Sequence, residues 1–513
     1  MEANRNSTAF SWLLLLLLSH LCLWMKVQST EMPSVQFKAV NLGGWLVTEG
    51  WITPSLFDDR IYNNDLLDGT QVQFMSTASG KYLTAEDGGG SKIAANRNDA
   101  SGWETFKLWR VADDQFQFRV FNKQFIGLDG GGGPSSSIVA VATVPAESET
   151  FQIIRNRDDR NRVHIKALSN GMFLQARSEG TVTADFSGEP DWGDSSNAVF
   201  VMKVFGGIQG EFQVTNGLGP VQAAQVMQEH WDTFIVEDDF DFIAKNGLNS
   251  VRIPVGWWTA MNPTPAPFVA GSLDVLDRAF SWAEKYDLKV ILDLHAPPYS
   301  QNGQDHSGSR DGTIEFGSTQ ETIDKTVEVI EFFSARYASS QSLAAVELIN
   351  EPSAPAVTLD VITRYYEAGY AAVRRHSPTA YVIMSRRQGA PPAELLTLAN
   401  GRSRTVIDVH YYSIYSPIFQ SMTVQQHINY IYQSRASQLS KITQDNGPLS
   451  FVGEWVAEWK VPGATKEEYQ QFANAQLEVY GKASFGWAYW TLKTEKYEHW
   501  SLKWMIENGY INL

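Results

Sequence analysis

Eight short apolar runs, most of them followed by a stretch of helical periodicity, set the architecture of this 513-residue chain. The runs fall at residues 39–46, 249–255, 289–295, 345–349, 381–385, 406–410, 450–453 and 485–490. Helical patterns occupy 236–246, 273–286, 319–337, 359–376, 423–445 and 466–481, and a shorter one at 393–400 fills the remaining gap. In the last long pattern Tyr469, Phe472 and Leu477 are spaced for one face. Eight strands alternating with helices predict an α/β fold, a (β/α)8 TIM barrel. Hydrophobic residues make up 43% and charged residues 19%, the profile of a chain that buries a core.

The first strand is separated from the second by a segment of different texture. Residues 71–205 are rich in Gly, Ser and Asp and in short alternating aromatic strands, with no helical pattern. They repeat internally. Gly80-Lys81-Tyr82-Leu83, Lys123-Gln124-Phe125-Ile126 and Gly171-Met172-Phe173-Leu174 take similar places, and each unit closes on a Phe-centred strand at Phe106, Phe151 and Phe200. Those phenylalanines are 45 and 49 residues apart, so three units of four strands are expected, a β-trefoil. The segment resembles a fascin-like trefoil module. The predicted layout is a first part of the barrel at 30–65, the trefoil inserted at 66–205, and the rest of the catalytic barrel at 206–513. No Gln-x-Trp triplet, the sugar-binding signature of ricin-type trefoils, occurs in the insertion, so bracing is favoured over sugar binding. Its ends must lie close together for the barrel to close around it.

Residues 1–29 read as a secretory signal peptide, with Arg5 before the apolar run at 13–18 and small residues at the end. The run is shorter than the ~20 residues of a spanning helix, so no membrane association is expected after cleavage. The only cysteine, Cys22, and the only Asn-x-Ser/Thr sequon, at Asn6, both fall inside this leader. The mature protein is therefore expected to be extracellular, in the cell wall or apoplast, without disulfides. A formal charge of -16 argues against nucleic acid as a partner, which calls for a basic surface. A monomer is expected.

A barrel of this kind places its active site at the C-terminal ends of the strands. Those ends carry Glu49 beyond strand one, Arg252 on strand two, Asp293-Leu294-His295 on three, Asn350-Glu351-Pro352 on four, His410-Tyr411-Tyr412 on six, Glu454-Trp455 on seven and Trp487-Ala488-Tyr489-Trp490 on eight. Glu351 and Glu454 sit on strands that face each other across the barrel. Paired carboxylates flanking a sugar are the apparatus of glycoside hydrolysis. Trp455 and Trp490 are candidate stacking platforms, and the acidic surface does not oppose a neutral polysaccharide.

The barrel portion resembles glycoside hydrolase family 5 of clan A, and within it the exo-β-1,3-glucanases. The resemblance is carried by Asn41-Leu42-Gly43-Gly44-Trp45, Trp51-Ile52-Thr53-Pro54, Val251-Arg252-Ile253-Pro254, Ser300-Gln301-Asn302-Gly303, Glu347-Leu348-Ile349-Asn350-Glu351-Pro352 and Gly486-Trp487 with Trp490. It covers about 335 residues, and a fascin-type insertion after strand one resembles plant members. The resemblance implies a secreted retaining β-glycosidase acting on cell-wall β-glucans or oligosaccharides. It makes Glu351 the general acid/base and Glu454 the nucleophile, with Asn350 on the sugar 2-hydroxyl and Arg252 beside the nucleophile. His295, His410 and Tyr412 would orient the carboxylates and the sugar, Glu49 would bind the terminal glucose, and Trp490 would floor its subsite. This chemistry implies no metal and no cofactor.

Gln304 stands where fungal relatives carry an aromatic residue directly after Ser-Gln-Asn-Gly, while Tyr415 keeps an aromatic beyond strand six. The departure bears on linkage, and leaves an endo-acting cellulase or mannanase of the same family as an alternative. A non-catalytic wall-glycan-binding protein is a second alternative, opposed by the presence of both Glu351 and Glu454. Trp51 and Trp487 are expected in the core, and Glu347, Glu458 and Glu495 in structural or peripheral places.

Overall fold

The protein is described by a computed structural model over residues 36–131 and 137–513. The expected leader at 1–29, with Cys22 and the sequon at Asn6, lies outside the described residues. Among the described residues no helix is long and apolar enough to cross a membrane.

Strand β1 (Phe37–Asn41) opens a closed, parallel eight-stranded barrel, and after a further stretch packed on the barrel the chain enters an all-β module. The module contributes β2 (Gln71–Ser76), β3 (Tyr82–Ala85), β4 (Ile93–Arg97), β5 (Phe106–Ala112), β6 (Gln115–Arg119), β7 (Phe125–Leu128), β8 (Ile138–Ala142), β9 (Thr150–Arg155), β10 (Arg162–Ala167), β11 (Phe173–Ala176), β12 (Val182–Phe186) and β13 (Phe200–Gly206). Its first and last strands pair antiparallel, with Gln71 opposite Gly206, so the module enters and leaves at one point. Phe74, Phe106, Phe118, Phe151 and Phe200 are buried together at its centre.

The barrel resumes with β14 (Ser250–Gly256), β15 (Lys289–Ala296), β16 (Leu343–Glu347), β17 (Tyr381–Ser385), β18 (Thr405–Tyr411), β19 (Leu449–Trp455) and β20 (Gly486–Tyr489), and β20 pairs with β1 to close the ring. β14 and β18 are buried at every position, as strands covered by helices on one face and by the barrel interior on the other must be. Toward the N-terminal ends of the strands Phe37, Ile291, Ile383, Phe451 and Phe485 fill the interior and leave the opposite end for polar groups. Threonine caps start several of the outer helices: Thr319, Thr358, Thr423 and Thr465 each accept a backbone N–H from the first turn.

Two helical expectations change. A helix at Glu211–Thr233 was not marked by periodicity, because Gly217, Gly219 and Pro220 interrupt it and Gly219 turns to a φ of 73°. The pattern at 423–445 breaks into Val424–Tyr430, a π-type turn at Ile431–Arg435, and Ala436–Ser440.

Candidate active site

The site is built outward from Arg252, fully buried on β14. Its Nε donates to Glu347 at 2.8 Å, Nη1 to Asn41 Oδ1 at 2.9 Å and to Glu454 at 3.1 Å, and Nη2 to Asn350 Oδ1 at 3.0 Å. Nη2 also lies 3.1 Å from Asp293. A buried guanidinium requires compensating charge, and three carboxylates supply it. Burial lowers its pKa, but Asp293, Glu347 and Glu454 outweigh that and raise it well above its ordinary value.

Two strand ends carry an Asp-x-His pair, which strand periodicity places on one face. On β15 Asp293 holds His295 Nδ1 at 2.6 Å. On β18 Asp408 holds His410 Nε2 at 2.8 Å and also accepts the Gly453 N–H at 2.7 Å. A Cβ on Gly453 would stand 2.4 Å from the Asp408 carboxylate, so glycine is what admits this contact.

His410 Nδ1 reaches both glutamates, Glu351 at 2.7 Å and Glu454 at 3.3 Å. A carboxylate oxygen of Glu351 and one of Glu454 lie within 4.8 Å of each other. Glu454 accepts the Tyr412 hydroxyl at 2.6 Å, and Glu351 accepts Gln388 Nε2 at 2.7 Å. Glu351 has a φ of 45°, a left-handed backbone uncommon outside glycine and frequent where a site stores strain. Both His410 nitrogens face carboxylates, Glu351 at Nδ1 and Asp408 at Nε2.

Burial raises Glu454, as does the charge of Glu351, while His410, Arg252 and Tyr412 oppose; the carboxyl is pushed up to about 7. For Glu351 burial acts upward too, but His410, His306 and His295 outweigh it and hold the group well below the usual carboxylate range. Burial lowers His410, yet Glu454, Asp408 and Glu351 together raise it well above its ordinary value.

Above these groups opens a cavity of about 600 Å³. Glu49, His295, Tyr412 and Trp490 line it with the two glutamates, and Trp490 stacks on His295 with the rings 5.5 Å apart. Asn350 lies beneath, its Nδ2 3.4 Å from His295 Nε2. The structure thus brings together Glu351, Glu454, Glu49, Arg252, His295, Asn350, His410, Tyr412 and Trp490. Trp455 is not among the lining residues: it is buried behind Glu454 against Tyr480, Trp487 and Tyr489. Trp51, expected in the core, lines the cavity and donates its indole N–H to Glu49 at 2.8 Å. Trp487 is buried, Glu458 pairs with His499, and Glu495 holds Ser55.

Sequence reasoning missed several lining residues, His306, Gln388 and Trp500 among them. His306 stands 3.8 Å from Glu49 on one side of its ring and 3.8 Å from Glu351 on the other. Burial lowers its pKa, but Glu49, Glu351 and Glu454 outweigh it and bring it up to about 9. Gln304, at the rim, donates its Nε2 to Gln388 Oε1 at 3.1 Å, so two amides meet at the cavity mouth.

Comparison with known proteins adds to this geometry. The profile of the Cellulase (glycosyl hydrolase family 5) family matches residues 216–496, and that of a Domain of unknown function (DUF7910) matches residues 63–205. The chain is 31% identical over 342 residues to "Probable glucan 1,3-beta-glucosidase A" of Aspergillus niger, covering 59% of this chain and 80% of that protein. It is 32% identical over 350 residues to a "Glucan 1,3-beta-glucosidase" of Blumeria graminis, covering 60% of this chain and 80% of that protein. Among solved structures, the rutinosidase from Aspergillus niger superposes with a TM-score of 0.52 at 21% identity, over 58% of this chain and 88% of that one, a likeness of fold.

Proposed function

Because the chain belongs to glycosyl hydrolase family 5, we propose that it is a retaining β-glycosidase that removes glucose from β-glucans or β-linked oligosaccharides outside the cell. The observation that carries the reading is the approach of the Glu351 and Glu454 carboxylates to within 4.8 Å. Retaining enzymes keep the pair ~5–5.5 Å apart, whereas inverting enzymes hold it at ~6.5–9.5 Å to admit a water. Substrates with β-1,3 bonds accord with the names of the relatives, and secretion accords with the leader pattern at 1–29.

In this reading an oxygen of Glu454 attacks C1 of the bound glucose, the C1–O bond breaks, and the leaving oxygen takes a proton from Glu351. Water then attacks C1 of the glycosyl-enzyme, gives its proton to Glu351 and frees Glu454. Asn350 meets the 2-hydroxyl, Glu49 and His295 hold the other hydroxyls, and Trp490 floors the sugar. The cations beside the two carboxylates differ in permanence. Arg252 cannot lose its charge, so Glu454 has a cation in every state. Glu351 instead faces His410, whose proton at 2.7 Å can cross to it, so the two hold one proton between them. Delivery of that proton through Glu351 leaves Glu454 to ionise against Arg252 and Tyr412.

The inserted module is read as a β-trefoil of fascin type, as in plant members. Support comes from three four-strand units with one pairing scheme: β2 with β5, β6 with β9 and β10 with β13 within units, and β5 with β6, β9 with β10 and β13 with β2 between them.

Laminarihexaose, cellohexaose and mannohexaose digested side by side test the whole reading. Glucose released from laminarihexaose, with the β-configuration kept in the first product by NMR, is expected. Mid-chain cuts in the cello- or mannohexaose would instead favour the endo-acting alternative, and inversion would remove the double displacement.

A further inference from the structure

A second cavity of about 300 Å³ adjoins the sugar pocket and shares Glu351, Gln388, Tyr412 and Tyr415 with it. Glu351 separates the two. If Glu351 protonates the departing oxygen, the remainder of the leaving group extends from Glu351 away from Glu454, into this second space. Its chemistry therefore bears on what the enzyme releases.

The cavity is cationic on a chain whose formal charge is -16. Arg386 and Arg435 both line it, each half-buried. Among the described residues neither has a carboxylate within 4.0 Å, although most arginines of this protein do. Among the described residues the acid lining the space is Glu351, which already holds His410 and Gln388. Arg435 is kept in place by the rings of Tyr411 and Tyr430, 4.6 and 5.3 Å from its guanidinium, and by the Tyr412 carbonyl, which accepts its Nη2 at 2.8 Å. A guanidinium fixed in this way, as that of Arg435 is, suits a planar anion. The rim offers aromatic and aliphatic surface: Tyr415 is 72% exposed and Ile418 50% exposed. Aromatic faces beside arginines suit a flat ring that bears a negative group.

We propose that this second cavity receives leaving groups carrying a carboxylate, aryl carboxylates above all, with Arg386 and Arg435 facing the anion and Tyr415 and Tyr430 covering the ring. The proposal rests on the reading of Glu351 as the acid. The bond broken is the same C1–O bond, and the aryl acid departs with the Glu351 proton on its phenolic oxygen.

The test compares 4-carboxyphenyl β-glucoside with its methyl ester. The ester is intrinsically the better leaving group, because it withdraws electrons more strongly than the carboxylate does. A kcat/KM about tenfold higher for the free acid, the worth of one charge-assisted hydrogen bond, is the expected result. In Arg386→Gln the acid-to-ester ratio should fall towards one, and Arg386→Lys should keep part of it. A second arm compares glucose β-linked to glucuronic acid with glucose β-linked to glucose. Preference for the acid in that arm alone overturns the aryl assignment and puts the carboxylate on a sugar. An ester turned over as well as the acid, with no uronate preference, overturns the proposal. Failure to hydrolyse any of these glucosides, phenyl β-glucoside included, overturns the hydrolase reading itself and is distinguishable from both.

Discussion

Glu351 and Glu454 share His410 yet should fail differently when changed. If Glu454 is the nucleophile, Glu454→Gln is expected to abolish turnover of every substrate, since no glycosyl-enzyme could form. Glu351→Ala should spare activated aryl glycosides, whose departure needs little protonation, and azide should partly rescue it. Equal loss on aryl and natural substrates, with no azide rescue, would count against the acid/base role. Tyr412 gives a signed expectation with pH. Its hydroxyl lowers the pKa of Glu454, and in the proposed mechanism Glu454 attacks as the carboxylate. In Tyr412→Phe that carboxyl should hold its proton to higher pH, moving the acidic limb of kcat/KM upward by roughly one pH unit. An unmoved limb would show that the hydroxyl does not set the charge on Glu454. The residues that end strands were legible because a strand places alternate side chains on one face. The same rule could have excluded Trp455: if Glu454 points inward, its neighbour points out. Trp51 packs against the barrel core, as expected, and its lining of the cavity was missed because a tryptophan can do both. His306 and Gln388 lie on loops, and nothing local in sequence says which way a loop returns.

The loop that carries Gln304 and His306 also marks the limit of legibility for elements. Its two limbs close on each other at Gly303 and Gly312: a Cβ at Gly303, where φ is 72°, would meet the Gly312 carbonyl oxygen at 2.4 Å. The limb beyond is held by the inserted module. Asp311 pairs with Arg119 at 2.6 Å and accepts the Trp109 indole N–H at 2.8 Å, and Arg310 pairs with Asp68 at 2.7 Å while lying over the Trp109 ring. Burial raises Asp311, but Arg119, Thr313 and Lys107 prevail and hold it down at about 2. A carboxyl depressed in the folded state stabilises above its unfolded pKa, so this clamp persists at neutral pH and is lost only as pH falls towards 2. Asp311→Asn keeps the shape and removes the charge from a buried pair. It should cost about 3 kcal/mol of stability by urea denaturation and raise KM for aryl glucosides, through Gln304 and His306. Unchanged KM would show the loop to be held from the barrel side alone. The barrel was legible because its strands repeat as apolar runs, whereas the helix at Glu211–Thr233 was hidden by its own glycines and proline.

At the scale of the whole molecule, the module is tied to the loop that carries Gln304 and His306 as well as to the β1–β14 connection it interrupts. Replacing residues 71–205 by a short Gly/Ser linker should therefore lower Tm and also raise KM for a small aryl glucoside. If the module carries no sugar site, full-length and shortened enzyme should be retained equally on insoluble β-glucan. Stronger retention of the full-length enzyme would instead make it a carbohydrate-binding module. The place of the insertion was legible from the change of texture in the sequence. Its hold on the active site was not, because Arg119 and Asp311 are nearly two hundred residues apart and nothing in either neighbourhood names the other. The closure of the ring has a consequence for how the protein is made. β1 pairs with β20, the first and last strands, so β1 must wait for nearly the whole chain before its second edge is covered. The module pairs only with itself, over residues 71–206, and its strands all leave the ribosome early. The nascent protein would then carry a finished β domain beside an open, apolar half-barrel, and interruption of translation before Gly486 would leave that barrel edge exposed to aggregation.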